Sequence, residues 1–159
     1  MTPIQLANFD IEEYCEGRNQ FTSDEWIDFL IRSLVMEPSN FDRRLKLLFL
    51  SRLIPFCENN YNLVELGPRG TGKSYAYQEI SPYGILLTGP TTVANLFYNM
   101  STQKMGLVGI WDVVAFDEVA DLQKMPKEII TMLKTYCESG TFARGKEALS
   151  AYASIAFFW

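Results

Sequence analysis

A glycine-rich stretch near the middle of the chain has the residue types and the spacing that bind phosphate. It follows the pattern G-x-x-x-x-G-K-[ST], directly after the mainly apolar run at 62–66. The residues of this loop are Gly67, Pro68, Arg69, Gly70, Thr71, Gly72, Lys73 and Ser74. In such a loop the glycines let backbone N–H groups turn toward phosphate oxygens, the lysine reaches the terminal phosphates, and the serine hydroxyl ligates Mg²⁺. The spacing therefore predicts a site for a nucleoside triphosphate such as ATP, together with Mg²⁺.

The side chains inside the loop have different expected roles. Arg69 is long enough to approach a phosphate or to extend into solvent beside the nucleotide, and we favour the second interpretation. Gly70 and Thr71 contribute mainly through backbone geometry and the direction of their amides. We therefore expect Lys73 and Ser74 to carry the side-chain chemistry of the loop.

Two adjacent carboxylates end an apolar run downstream of the loop. Residues 113–116 are apolar and lead into Asp117 and Glu118, which is typical of a Walker B strand. Because Mg²⁺ needs hard oxygen ligands, we expect Asp117 in the metal shell and Glu118 as the general base that orients or deprotonates the attacking water. The alternative is a solvated acidic strand end, which the phosphate loop makes the weaker interpretation. Asp112 and Asp121 are expected to be ordinary turn or capping residues.

Short apolar strands separated by helices must position these residues. The sequence predicts strands at 62–66, 84–88, 113–117 and 154–158, and helices at 73–79, 91–99 and 126–139. Each strand reads as an apolar run, which is typical of a parallel sheet buried on both faces. We therefore predict an α/β fold of the P-loop NTPase type, with a parallel sheet flanked by helices.

The leading part of the chain is predicted to be helical. The apolar residues within 1–22 show no sustained helical or strand periodicity, so this segment is expected to be a loosely organised lead-in. One helix is expected from Thr22 or Ser23 to residue 37, and a second from residue 40 or 42 to residue 54, where a proline follows. The predicted domains are a helical segment over 1–60 and an ATPase core over 61–159.

Composition and charge narrow the class of protein. The net charge of −5 and the isoelectric point of about 4.8 argue against a nucleic-acid binder dominated by electrostatics. The three cysteines are far apart and no histidine is present, so no zinc site or Cys-His pair is predicted, and buried free thiols are expected. No signal peptide and no apolar run of about 18 residues is visible, so we expect a cytoplasmic protein with no membrane partner.

The adjacent Asp117 and Glu118 resemble the AAA+ branch of P-loop ATPases. The helix after the Walker B segment leads into Glu138, Gly140, Phe142 and Arg144, similar to an acid-x-Gly-x-Phe-x-Arg turn of that branch. The amino-acid sequences of residues 65–74, 91–100 and 106–118 are similar to those of the Lon-related AAA+ ATPases of bacterial BREX phage-defence systems, the BrxL-like family. This resemblance extends from about residue 21 to residue 158. It implies ATP hydrolysis, assembly into homo-oligomeric rings, and DNA as a partner.

The chain also departs from that family. The sequence does not show four features of the family: the sensor Asn expected after the strand at 154–158, the arginine finger, the helical lid, and the Lon-like protease region with its Ser-Lys residues. No protease role is therefore carried over to any residue. The sheet is therefore expected to be incomplete at its carboxyl-terminal end, with Ile155, Phe157, Phe158 and Trp159 uncovered. A truncated piece of a longer protein is the simplest expectation.

Two functional hypotheses follow. The first is an ATP-binding and ATP-hydrolysing AAA+ core of a phage-defence protein. The second is a non-catalytic remnant or interaction module that interferes with, or completes, a full-length ring by pairing through its exposed strand and subdomain surface. For DNA contact the candidates are Arg43, Arg44, Lys46 and the turn of Arg144 and Lys146, although such residues are more often solvated.

Overall fold

The computed structural model describes residues 8–68, 70–117, 125–144 and 147–158, and in this range it describes no side chain of Arg144 or Glu147. The chain forms two compact units, residues 1–53 and 54–159. The domain boundary that the sequence suggested, between residues 60 and 61, stays a prediction. The second unit contains all the strands in the described part of the chain.

The first unit is helical. Its helices are α1 (Ile11–Asn19), α2 (Ser23–Ser33) and α3 (Arg43–Ser51). Helix α2 begins as predicted, because the Thr22 hydroxyl accepts from the Glu25 N–H at 3.3 Å while the Glu25 carboxylate accepts from the Thr22 N–H at 2.8 Å. Of the two candidate caps for the next helix, Asp42 is the one used, and it accepts from the Leu45 N–H at 2.8 Å.

Helix α1 was not predicted, because residues 1–22 were expected to be loosely organised. Asp10 caps this helix by accepting from the backbone N–H groups of Glu12 and Glu13 at 2.9 and 3.2 Å. None of its residues is buried. A helix without a buried face has no apolar period, so its cap was the only signal in the sequence.

The second unit is built on a four-stranded parallel sheet. Its strands are β1 (Leu63–Glu65), β2 (Gly84–Thr88), β5 (Val113–Asp117) and β8 (Ser154–Phe158). Their order across the sheet is β1-β8-β5-β2, and all three pairings are parallel. Three of these strands have the predicted bounds and β1 is one residue shorter at each end. The predicted α/β class with a helix-flanked parallel sheet is confirmed.

Strand β8 corrects one expectation. It was predicted to lie uncovered, but it lies inside the sheet between β1 and β5, and Ile155 and Phe158 are 0% and 1% exposed. The exposed side chain is instead on the edge strand β1, where Val64 is 62% exposed. The prediction that every strand is buried on both faces is therefore wrong for β1.

Helices cover the sheet on both faces. The helices of this unit are α4 (Ile54–Cys57), α5 (Lys73–Glu79), α6 (Val93–Leu96) and α7 (Lys127–Ser139). Alternate residues of β5 belong to two core clusters, Val114 and Phe116 with α6 and α7, and Val113 and Ala115 with α5. Because both faces of β5 are buried in this way, the strand needs apolar residues at nearly every position.

Two hairpins in the second unit were not predicted. They are β3 (Tyr98–Asn99) with β4 (Lys104–Met105), and β6 (Thr141–Arg144) with β7 (Glu147–Ser150). The first shortens the predicted helix at 91–99, which ends at Leu96. The Asn99 side chain accepts from the N–H groups of Ser101 and Thr102 at 3.0 and 3.2 Å, which favours a turn over a continued helix.

The cysteines are free, but the prediction that all three are buried is wrong. Cys15 and Cys57 are exposed, and Cys137 is half-buried on α7. Burial raises the pKa of the Cys137 thiol to about 11, so this thiol is protonated at neutral pH. Among the described residues no helix has the length and apolar character that crossing a membrane requires.

Candidate functional site

The sheet brings the described site residues together at the carboxyl ends of its strands. Because the strands are parallel, their carboxyl ends meet, and the pairings place Glu65 beside Phe158, Phe158 beside Asp117, and Asp117 beside Thr88. The glycine-rich loop follows β1 and therefore begins at this same end of the sheet. Ligands of open α/β sheets bind outside the carboxyl ends of the strands.

Two glycines give the loop its shape. Gly70 has a φ of 80° and Gly72 a φ of 77°, in the left-handed region that residues with a Cβ rarely adopt. Gly72 is also the residue that precedes α5, so the chain turns sharply there before the helix begins at Lys73. This explains why glycine is needed at these positions, as the motif predicted.

Lys73 is buried and faces the concave side of the loop. It is 7% exposed, and its Nζ donates to the carbonyl oxygens of Gly67 and Pro68 at 2.7 and 2.6 Å and to the Thr71 hydroxyl at 3.4 Å. All three of these acceptors are neutral. A buried cation is costly unless a negative charge balances it, so this position favours an anionic ligand.

Ser74 and Asp117 meet across 43 residues of sequence. The Ser74 hydroxyl donates to the Asp117 Oδ2 at 3.3 Å. A hydroxyl and a carboxylate are hard oxygen ligands of the kind that Mg²⁺ prefers, and Mg²⁺ usually takes its remaining ligands from water and substrate phosphates. Among the described residues no group of three His, Cys, Asp or Glu side chains comes together to form a metal site. The donor pair therefore fits a cation shared with a bound phosphate.

A cavity of about 670 Å³ opens over this loop. This volume lies within the range of about 300–1,000 Å³ found for small-molecule sites. Its lining consists of loop residues, the first residues of α5 and one strand residue, namely Leu66, Gly67, Pro68, Gly70, Thr71, Gly72, Lys73, Ser74, Tyr75 and Asp117. All described residues of the predicted loop line it.

Several predicted residues lie outside the described part of the chain. These are Arg69, Glu118, Asp121, Lys146 and Trp159, together with the side chain of Arg144. The role of Glu118 as general base and the position of the Arg69 side chain therefore stay predictions. Asp112 lies just before β5, at the end of the strand opposite Asp117, and its side chain is exposed. Its backbone N–H donates to the Tyr83 carbonyl at 2.9 Å.

Two of the basic residues considered for DNA contact are engaged in ion pairs. Arg43 lies 3.1 Å from Asp24, and Lys46 lies 2.6 Å from Asp28, so both link α3 to α2 within the first unit. Arg44 is exposed. These pairs favour the structural interpretation of Arg43 and Lys46, because a paired cation offers less charge to a phosphate backbone.

Sequence reasoning missed residues that flank the loop and one residue that supports it. Leu66 and Tyr75 line the cavity, and their positions next to the motif could have indicated them. Asn62 begins the segment before the loop, and its side chain accepts from the Ile155 N–H at 2.9 Å and donates to the Cys137 carbonyl at 2.9 Å. A polar residue at the start of an apolar strand was the only hint of that role.

Comparison with known proteins agrees with the resemblance of the sequence. The family model described as "Lon-like protease BrxL-like, ATPase domain" matches residues 1–158. The chain is 58% identical over 158 residues to the Lon-like protease BrxL of Bacillus cereus (strain H3081.97), and 52% identical over 158 residues to that of Escherichia coli O9:H4 (strain HS). In both cases the alignment covers 99% of this chain and 23% of the relative. The chain thus spans about a quarter of the length of these curated relatives.

Proposed function

The chain belongs to the family of BrxL-like ATPase domains of Lon-like proteases, and from this premise we propose that it binds ATP with Mg²⁺ at the loop of residues 67–74. The observation that carries the proposal is the buried Lys73 ammonium, whose three hydrogen bonds go to neutral oxygens at the wall of a nucleotide-sized cavity. Among the described residues no carboxylate pairs with Lys73, and phosphate oxygens would supply this negative charge.

The metal proposal rests on two side chains. Ser74 and Asp117 would hold Mg²⁺ from the protein side, and the ion would neutralise charge on the β- and γ-phosphates. The loop amides at Gly70 and Gly72 would surround the phosphates, with Lys73 donating to their terminal oxygens. The other loop residues, including Pro68, Arg69 and Thr71, complete the proposed binding segment.

Hydrolysis is a further proposal. Glu118 directly follows Asp117 and would orient or deprotonate the water that attacks the γ-phosphate. In ring ATPases an arginine from a neighbouring subunit stabilises the developing charge, and such a residue accounts for about 10³–10⁵ in rate. We therefore propose a P-loop ATPase whose turnover depends on assembly with other subunits. No protease residue is proposed in this chain.

The wider role follows from the family alone. We propose an AAA+ core of an antiphage BREX protein that works in the cytoplasm, where ATP is available, and that forms rings and engages DNA as the resemblance implies. The competing hypothesis of a non-catalytic remnant or interaction module is not better supported, and pairing through β8 has no basis, because both edges of that strand are occupied.

Binding of ATP in the presence of Mg²⁺, measured by isothermal titration calorimetry on the whole chain, tests the proposal. Lys73→Ala should weaken ATP binding by roughly 30–150-fold, because it removes a charge-assisted hydrogen bond of about 2–3 kcal/mol. Lys104→Ala is the matched control, since Lys104 is an exposed lysine of the same unit that does not line the cavity. Equal affinities of the wild type and Lys73→Ala would refute the assignment of the loop.

A further inference from the structure

Part of the cavity wall consists of side chains that phosphate binding does not require. Leu66 and Tyr75 flank the phosphate loop in sequence and line the same cavity as Lys73 and Asp117. Leu66 is 70% exposed and Tyr75 is 36% exposed, so both present apolar surface that the protein itself does not cover. Apolar and aromatic side chains of this kind are what small-molecule sites use to hold the uncharged parts of a ligand.

The positions of these side chains relate them to the phosphate end of the site. Tyr75 directly follows Ser74, whose hydroxyl contacts Asp117 at 3.3 Å, and it lies two residues after Lys73. A nucleotide with its phosphates at Lys73 and Ser74 must place its sugar and base on adjoining surface. The cavity of about 670 Å³ has room for them within the usual size of small-molecule sites.

We infer that Tyr75, together with Leu66, is the platform that holds the purine base of the bound nucleotide. The inference rests on the proposed function and names the base-binding part of the same site. The base is held there by stacking and apolar contact and not by hydrogen-bond readout. Stacking on an aromatic ring accepts any base, because every base has a π-face.

The two side chains of the platform do not select between purines. Leu66 has no polar group on its side chain, and the Tyr75 hydroxyl can donate or accept. The Thr71 hydroxyl donates to the Pro68 carbonyl at 3.2 Å and accepts from Lys73, so it is engaged within the loop. Because stacking on the Tyr75 ring does not distinguish adenine from guanine, GTP should bind within about fivefold of ATP.

The test compares ATP with inorganic tripolyphosphate, each with Mg²⁺, by isothermal titration calorimetry on the whole chain. Tripolyphosphate has neither sugar nor base, so the ratio of the two affinities reports contact with the nucleoside and is insensitive to partial loss of folded protein. Tyr75→Ala should lower this ratio about tenfold, in the range known for base–aromatic stacking, whereas Tyr75→Phe should keep it. Tyr152→Ala is the matched control, since Tyr152 is a 72% exposed tyrosine that does not line this cavity.

The outcomes separate the two proposals. An affinity ratio in Tyr75→Ala equal to that of the wild type would overturn the base platform while leaving the phosphate site intact. A wild-type chain that rejects GTP by more than about 100-fold would also overturn it, because apolar contact alone cannot give that discrimination. A wild-type chain that binds neither ATP nor tripolyphosphate would overturn the proposed function and the platform with it.

Discussion

Asp117 is the residue on which the metal part of the site depends. It ends β5, and its Oδ2 accepts from the Ser74 hydroxyl at 3.3 Å. The carboxylate supplies the negative charge of this pair, and Ser74 supplies a neutral oxygen. Removing that charge should therefore affect the binding of Mg²⁺ more than the binding of the phosphates themselves.

Asp117→Asn should abolish most of the increase in ATP affinity that Mg²⁺ gives, a loss of about tenfold, because an amide oxygen is a weaker ligand for a hard dication than a carboxylate. The measurement is ATP affinity in Mg²⁺ and in EDTA, and the two proteins should agree in EDTA. Asp112→Asn is the control, since Asp112 lies just before the opposite end of β5. A full Mg²⁺ effect in Asp117→Asn would exclude Asp117 from the metal shell.

At the scale of elements, Asn62 joins three parts of the second unit. Its side chain lies just before β1, accepts from the Ile155 N–H of β8 and donates to the Cys137 carbonyl at the end of α7, each at 2.9 Å. Ile155 itself is fully buried. Water therefore has little access to its N–H group once the asparagine is removed, and an unsatisfied buried polar group is costly.

Asn62→Ala should lower the free energy of unfolding by about 2 kcal/mol, the cost of leaving buried backbone groups without partners. Urea unfolding followed by circular dichroism measures this change. Asn59→Ala is the matched control from the same loop, because Asn59 is exposed and its replacement should change stability by less than about 0.5 kcal/mol. Equal midpoints for the two variants would show that Asn62 does not tie these elements together.

At the scale of the whole molecule, the second unit holds the complete described site. Residues 54–159 contain every residue that lines the cavity and all four strands of the parallel sheet. Helix α4 also belongs to this unit. Its Phe56 ring stacks on Tyr77 at 5.9 Å between centroids, and the following Glu58 carbonyl accepts from the Ser154 hydroxyl at 2.9 Å.

A protein of residues 54–159 should fold cooperatively and bind ATP with the affinity of the whole chain. A protein of residues 61–159 should be less stable by at least about 2 kcal/mol, because it loses the Phe56 contact and the acceptor of the Ser154 hydroxyl. Thermal unfolding and calorimetry on both proteins measure these differences. Equal stability of the two would place the domain boundary at residue 60, as the sequence suggested.

Local patterns in the sequence determined the parts of this protein that depend on neighbouring residues. The four strands of the sheet, Thr22 as one of the two candidate caps of α2, and the helix at Lys73–Glu79 were predicted correctly, while the phosphate-binding role of residues 67–74 stays a prediction. Each depends on backbone conformation or on apolar periodicity over fewer than about ten residues. The same local view missed α1 and the two hairpins, which have short or exposed segments and hence weak patterns.

Only the tertiary structure decided which of these elements lie side by side. Periodicity identifies a strand but carries no information on its neighbours, so β8 could be predicted as a strand while its interior position between β1 and β5 could not. The same holds for the placement of Tyr75 at the cavity wall. These depend on pairing between distant segments, which burial and backbone hydrogen bonding of the whole sheet determine together.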